Sequence, residues 1–166
     1  MRFRSFLCLG ILLLGFSSAL ATSNYRYGAD EYVTVARGIS PDGRYAVTAH
    51  GGGDYGYDGF HLYLTDAATG RSLGTLEKIQ AMLDTGAGAY AAKWSDDSRQ
   101  VEIVYRISRH LPLQAARYRI EGGRALLKEG PSDATETLGR YWRDQCGASL
   151  RPSDRIFGGG GGRPSG

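Results

Sequence analysis

Apolar residues recur at every second position along most of this chain. Val33 and Val35, then Tyr45, Val47 and Ala49, then Phe60, Leu62 and Leu64 each fall on one side of an extended segment, as strands with one buried face require. Val101, Ile103, Tyr105 and Ile107 continue the pattern, and so do Ala116, Tyr118 and Ile120. Turn-forming residues separate these runs at Pro41-Asp42-Gly43, Ala68-Thr69-Gly70, Asp97-Ser98 and Gly122-Gly123. Short strands at this spacing predict a mainly β, antiparallel fold. The period then changes. Ala134, Leu138, Trp142 and Cys146 stack at helical spacing between a capping Ser132 or Asp133 and a terminating Gly147, which predicts one amphipathic helix over about 133–146, lying on the sheet. Leu76, Ile79 and Leu83 leave a second helix over Glu77 to Leu83 open, beside the alternative of an extended strand.

The two ends read differently. Arg2 and Arg4 precede an apolar run from Phe6 to Phe16 and the small-x-small stretch Ala19-Leu20-Ala21, so residues 1–21 are expected to be a signal peptide with Thr22 as the mature start. The run is shorter than the ~20 residues that span a bilayer. An exported protein is expected, periplasmic or secreted, with no stable membrane span after signal removal. Cys8 lies too early for lipidation, and Cys146 is then the one cysteine of the mature chain; no internal disulfide can form, and burial as a small hydrophobe is favoured over exposure to a partner. The C-terminal RPSDRIFGGGGGRPSG offers little to pack, so residues 151–166 are read as a disordered tail and 22–150 as one β-rich domain. Loss of two arginines from a formal charge of +3 leaves 3 − 2 = +1, which gives no electrostatic case for nucleic acid.

Inside the domain a segment repeats. Ile39-Ser40-Pro41-Asp42-Gly43-Arg44 returns as Trp94-Ser95-Asp96-Asp97-Ser98-Arg99, and each copy is followed by strands and a turn that ends in Gly-Arg, at Asp66 to Arg71 and at Glu121 to Arg124. "SPDGRYAV" followed by "LYLTDAATGRSLGTL" resembles a blade of the WD40-like, TolB-type β-propellers. The resemblance implies turn-building roles for Pro41, Asp42, Gly43, Asp66 and Gly70, and nothing catalytic. Two blades are fewer than the four to eight that close a propeller. The apolar parity also slips by one residue between the copies, from Tyr45, Val47, Ala49 to Val101, Ile103, Tyr105, and a one-residue slip turns side chains to the other face. The alternatives are an incomplete propeller, a small sandwich, or a curved sheet under the helix; self-association is one way to complete two blades.

Two motifs suggest chemistry. His50-Gly51-Gly52-Gly53 and Gly70-Arg71-Ser72-Leu73-Gly74 look like the oxyanion loop and nucleophile elbow of a serine hydrolase. A hairpin turn, not a buried strand, precedes Gly70, so a triad of Ser72, Asp84 or Asp96, and His110 is rejected, and a serine esterase ranks below both non-enzymatic readings. In "HGGGDYGYDGFH" the candidate ligand-binding residues are His50, Asp54, Tyr55, Tyr57, Asp58 and His61. If the flanking strands pair, the two imidazoles approach across the ladder with an aspartate in reach, a weak metal site; no metal or other cofactor is assigned. Tyr55, Tyr57 and Tyr63 form a candidate recognition surface, and Arg106, Arg117 and Arg119 a candidate anion site that Glu102 and Glu121 can neutralise. The expected role is non-enzymatic, a module that binds an envelope or secreted protein; the alternative is a small-ligand or metal binder that uses the loop between His50 and His61.

Overall fold

A computed structural model describes residues 24–79, 84–108, 110–146 and 156–157 of the chain. The expected signal peptide lies outside them, as do residues 80–83 and most of the expected tail.

The alternating segments become strands. β1 (Tyr32–Ile39), β2 (Tyr45–Gly52), β3 (Asp58–Asp66) and β4 (Ser72–Thr75) form one antiparallel meander. After a short turn of 3-10 helix at Ala87–Ala89, β5 (Ala91–Trp94), β6 (Gln100–Tyr105), β7 (Gln114–Glu121) and β8 (Arg124–Asp133) form a second. The first strands of the two meanders pair in parallel through Ala36 and Ala91, giving one mixed sheet in the order β4-β3-β2-β1-β5-β6-β7-β8, curled into a half-barrel. The fold is mainly β with one C-terminal helix, and of the alternatives left open it is the curved sheet. Its shape is loosely compatible with a propeller-like fold.

The repeats share their turn chemistry bond for bond. Ser40 Oγ donates to Asp42 Oδ1, Arg44 N donates to the same oxygen, and Tyr45 N donates to Ser40 Oγ. Ser95 Oγ, Arg99 N and Gln100 N repeat these bonds around Asp97 Oδ1 and Ser95 Oγ. Gly43 takes φ 70° in the first turn, and Ser98 takes φ 58° in the second. A serine is unusual there, and its hydroxyl has a use: it accepts the Asp42 N–H at 3.1 Å and joins the two turns.

The parity slip has a geometric cause. The meanders run outward from the central parallel pair to opposite edges, so a rotation about an axis along the strands relates them, and such a rotation exchanges the faces of the sheet. From the Ser40 and Ser95 turns onward equivalent positions therefore face opposite ways, and both repeats fill one interior because their apolar parity differs by one; before the Arg37 irregularity the equivalent Val35 and Tyr90 share the interior, and Ala36 and Ala91 share the outer face. Val47 and Ala49 of the first repeat and Val101, Ile103 and Tyr105 of the second lie in the same buried cluster.

Leu76 and Ile79 follow β4 and are wholly buried in this interior. Glu77 and Lys78 form a turn rather than the start of a helix, and the Glu77 carbonyl accepts the Tyr118 hydroxyl from β7. Toward the other end Tyr25, Tyr27, Phe60, Tyr90 and Tyr105 form a chain of ring contacts with centroids 4.8 to 6.3 Å apart. Tyr27 and Tyr90 donate their hydroxyls to the carbonyls of Thr85 and Asp84. The Asp84 carboxylate, 1% exposed, is met by Arg106 through Nε at 3.2 Å and Nη2 at 2.9 Å; removal of one partner from such a pair costs about 3–5 kcal/mol.

The helix α1 (Glu136–Cys146) lies on the convex face. Leu138 and Trp142 pack with Ala91, Val104 and Ala115, flanked by Ala134, Tyr141 and a half-buried Cys146, so the expected stripe is the one that docks. The helix begins later than expected, because β8 continues to Asp133 and pairs there with Gln114. Thr135 rather than Ser132 or Asp133 caps it, its hydroxyl accepting the Leu138 N–H. Ile156–Phe157, within the expected tail, pair with Tyr32 and Val33 as a short strand, β9. No described helix is long and apolar enough to cross a membrane.

Burial holds the phenols of Tyr27, Tyr90 and Tyr118 well above the ordinary tyrosine value near 10. The folded state keeps them neutral to higher pH than the unfolded chain does, so their contribution to stability is complete below about pH 10 and is lost as the pH rises beyond it. In an alkaline titration, tyrosinate absorbance is expected to rise steeply together with loss of β structure. Smooth ionisation of every tyrosine near pH 10 with the fold intact would contradict this packing.

Candidate functional site

The candidate ligand-binding residues of the sequence lie in and beside the loop between β2 and β3. His50 and His61 are indeed paired in register across the two strands. Yet His50 Nδ1 lies 2.8 Å from the Glu31 carbonyl, which can only accept, so this nitrogen carries the proton. Its ring stacks on Tyr32 at 4.7 Å, with Tyr27 and Tyr63 at its edges. His61 instead meets the edge of Tyr63. Asp54 forms a largely exposed ion pair with Arg26, and Asp58 opens β3 opposite Gly52. Among the described residues no group of three or more His, Cys, Asp or Glu side chains could hold a metal ion.

The candidate recognition tyrosines differ in exposure. Tyr55 is 64% exposed and Tyr57 44%, and the Tyr57 hydroxyl reaches Asn24, whereas Tyr63 packs on Tyr32 and His50. The three candidate arginines are all neutralised: Arg106 by Asp84, Arg117 by Glu102 and Glu129, and Arg119 by Glu121.

The stretch before Ser72 is a hairpin turn and not the buried strand of a nucleophile elbow. Asp66 Oδ1 accepts from Ala68 N, Thr69 N and Thr69 Oγ1, a tight hairpin turn that delivers Ser72 as the first residue of β4. Asp84 is bound to Arg106. The glycines behind His50 have a packing reason instead. A Cβ on Gly51 would collide with the Gly56 carbonyl, and Gly53 takes φ 75°; at these two positions the loop folds back on itself too closely for side chains.

A crevice of about 720 Å³ lies elsewhere, between the two repeats. β1 and β5 run parallel, and their chains leave in opposite directions, β1 toward β2 and β5 toward β6. Neighbouring parallel strands with diverging connections leave a gap outside their carboxyl ends, the geometry that holds ligands in open α/β sheets. The register between them is limited to Ala36 and Ala91, because Arg37 adopts φ 57° and the β1–β2 ladder shifts there. A non-glycine residue in that region is costly and needs a reason. Two side chains take up the carbonyls at the gap: Trp94 Nε1 donates to Gly38 O at 2.9 Å, and the Tyr141 hydroxyl to Ala92 O at 2.7 Å.

Trp94, Tyr141 and the 38% exposed Ile39 give the crevice an apolar and aromatic lining. Arg37 and Lys93 bring positive charge, with Lys93 Nζ 6.0 Å from the centre of the Tyr141 ring, and Asp96 stands at the rim. Burial pushes the Tyr141 phenol up, and Arg37 opposes that shift. The sequence carries one signal for this site, the Arg37-Gly38 interruption of the β1 alternation, since a glycine inside a strand pattern marks a bulge.

No known protein family, no curated protein and no solved structure matches the chain.

The loop packing separates two adjacent glycines. Gly51→Ala is expected to cost about 1–3 kcal/mol, as overpacking does, because the group it meets is backbone. A Cβ on Gly52 makes ordinary contact with Asp58 at 3.4 Å, so Gly52→Ala is expected to stay within about 0.5 kcal/mol of wild type. Urea denaturation of both variants measures the difference, and equal effects would contradict the loop geometry.

Proposed function

We propose that this chain is an exported, non-enzymatic interaction module whose repeats are relatives of TolB-type propeller blades and whose partner is an envelope or secreted protein held in the crevice between β1 and β5. The observation that carries the reading is the composition of that crevice. Tryptophan, tyrosine and arginine dominate the binding energy of protein interfaces, and Trp94, Tyr141 and Arg37 meet here around a gap. Trp94 and Tyr141 are anchored through their polar ends, so little side-chain entropy remains to be lost on binding. Arg37 and Lys93 favour a partner segment that carries a carboxylate beside an apolar anchor. The apolar run and small-residue stretch before Thr22 support export.

Capture experiments with the tagged chain, from the envelope fraction and culture fluid of its source, test the reading. Wild type and Lys128→Glu, a change on the exposed edge of β8, are expected to retain one stoichiometric protein partner. Arg37→Glu combined with Lys93→Glu is expected to lose it. Retention of the same partner by the double variant, or no partner for wild type, would overturn the proposal.

A further inference from the structure

The Gly-Arg steps that close the repeat turns do more than end hairpins. Gly43-Arg44 joins β1 to β2, Gly70-Arg71 joins β3 to β4, and Gly123-Arg124 joins β7 to β8. The curl of the sheet brings β4 alongside β8, so turns from both repeats meet at one end of the half-barrel. Arg44, Arg71 and Arg124 line a single cavity there, of about 530 Å³.

The charge at this end is not balanced. Among the described residues none of these three arginines has a carboxylate within ion-pair distance, in contrast to Arg106, Arg117 and Arg119; Arg44 and Arg71 act on the Asp42 and Asp66 carboxylates only through longer-range charge. Arg44 rests its guanidinium over the Tyr45 ring at 5.3 Å. The one carboxylate of the lining, Asp66, has Oδ1 committed to three donors of its own turn. The lining therefore sums to 3 − 1 = +2. Gly43, Gly122 and Gly123, all at positive φ, have open space where a Cβ would stand, so the cavity floor is backbone that a ligand can approach closely.

Guanidinium groups present fixed forks of N–H donors that match phosphate oxygens in pairs. We propose that the turn end of the half-barrel is a binding site for a phosphate group, with Arg44, Arg71 and Arg124 as its ligands. It is separate from the crevice, which is lined by Arg37, Lys93, Trp94 and Tyr141, and it stands or falls independently of the partner assigned there. The phosphate can be that of a small soluble anion or of a lipid headgroup.

Two probes distinguish these sources. Inorganic pyrophosphate is titrated into the full chain at low ionic strength by calorimetry, and vesicles containing phosphatidylglycerol are tested by co-sedimentation. At least one probe is expected to bind. Each of Arg44→Gln, Arg71→Gln and Arg124→Gln is expected to weaken that binding about tenfold, the loss of one charge-assisted hydrogen-bonded contact. The triple variant is expected to abolish binding, and Lys128→Gln to leave it unchanged. Circular dichroism checks the fold of the triple variant, with the single variants deciding the matter if it does not fold. Binding of neither probe, or binding undiminished in the arginine variants, would overturn the proposal.

Discussion

The structure depends on one parallel contact, the pairing of β1 with β5 at Ala36 and Ala91. Chain direction there determines almost everything else. Because the two strands are parallel and their meanders spread to opposite edges, the repeats are related by a rotation that exchanges the faces of the sheet. A pair of identical repeats would then point its apolar side chains to opposite sides and leave one half of the interior polar. The one-residue shift in parity between Val47 and Val101 removes that conflict and lets both repeats fill a common core. The same contact limits itself: Arg37 turns out of the extended region directly after it, and the gap this opens is the crevice.

A curled sheet must also satisfy the polar groups that enter its interior. Tyr27, Tyr90 and Tyr118 each bury a ring and donate the hydroxyl to a backbone carbonyl, Tyr27 and Tyr118 to that of a distant segment and Tyr90 to that of Asp84 in its own. Asp84 and Thr85 receive several of these links, and Arg106 neutralises Asp84. Among the described residues no buried side-chain polar atom lacks a partner. The segment from Asp84 to Tyr90 thus ties the first repeat to the second through polar contacts, where the sheet itself offers one register pair.

The strands and their turns were legible because alternation and turn chemistry are local. Tyr45 to Ala49, Phe60 to Leu64 and Val101 to Tyr105 are strands where the period demanded them, and Ser40-Pro41-Asp42-Gly43 builds the turn its residues specify. The face of α1 was legible from Leu138 and Trp142, but its start was not, since Asp133 is held in β8 by a partner nineteen residues earlier. The opposition of His50 and His61 could be read from the hairpin. What could not be read was the engagement of His50 by Glu31 and Tyr32, which arrive from a preceding segment. Parity slip was visible in the residues, but its meaning required knowing that the central strands are parallel. Arg37, Lys93, Trp94 and Tyr141 lie on three different elements, and only the fold brings them together around one gap.

Native-state hydrogen exchange shows whether the two face-exchanged repeats share one interior and fold as one unit. The slowest amides of β2 and β3 are to be compared with those of β6 and β7 under conditions where exchange reports opening free energy. The same opening free energy is expected for both sets, because neither meander keeps its buried face without the other. Two distinct values, with one meander opening while the other stays protected, would contradict it.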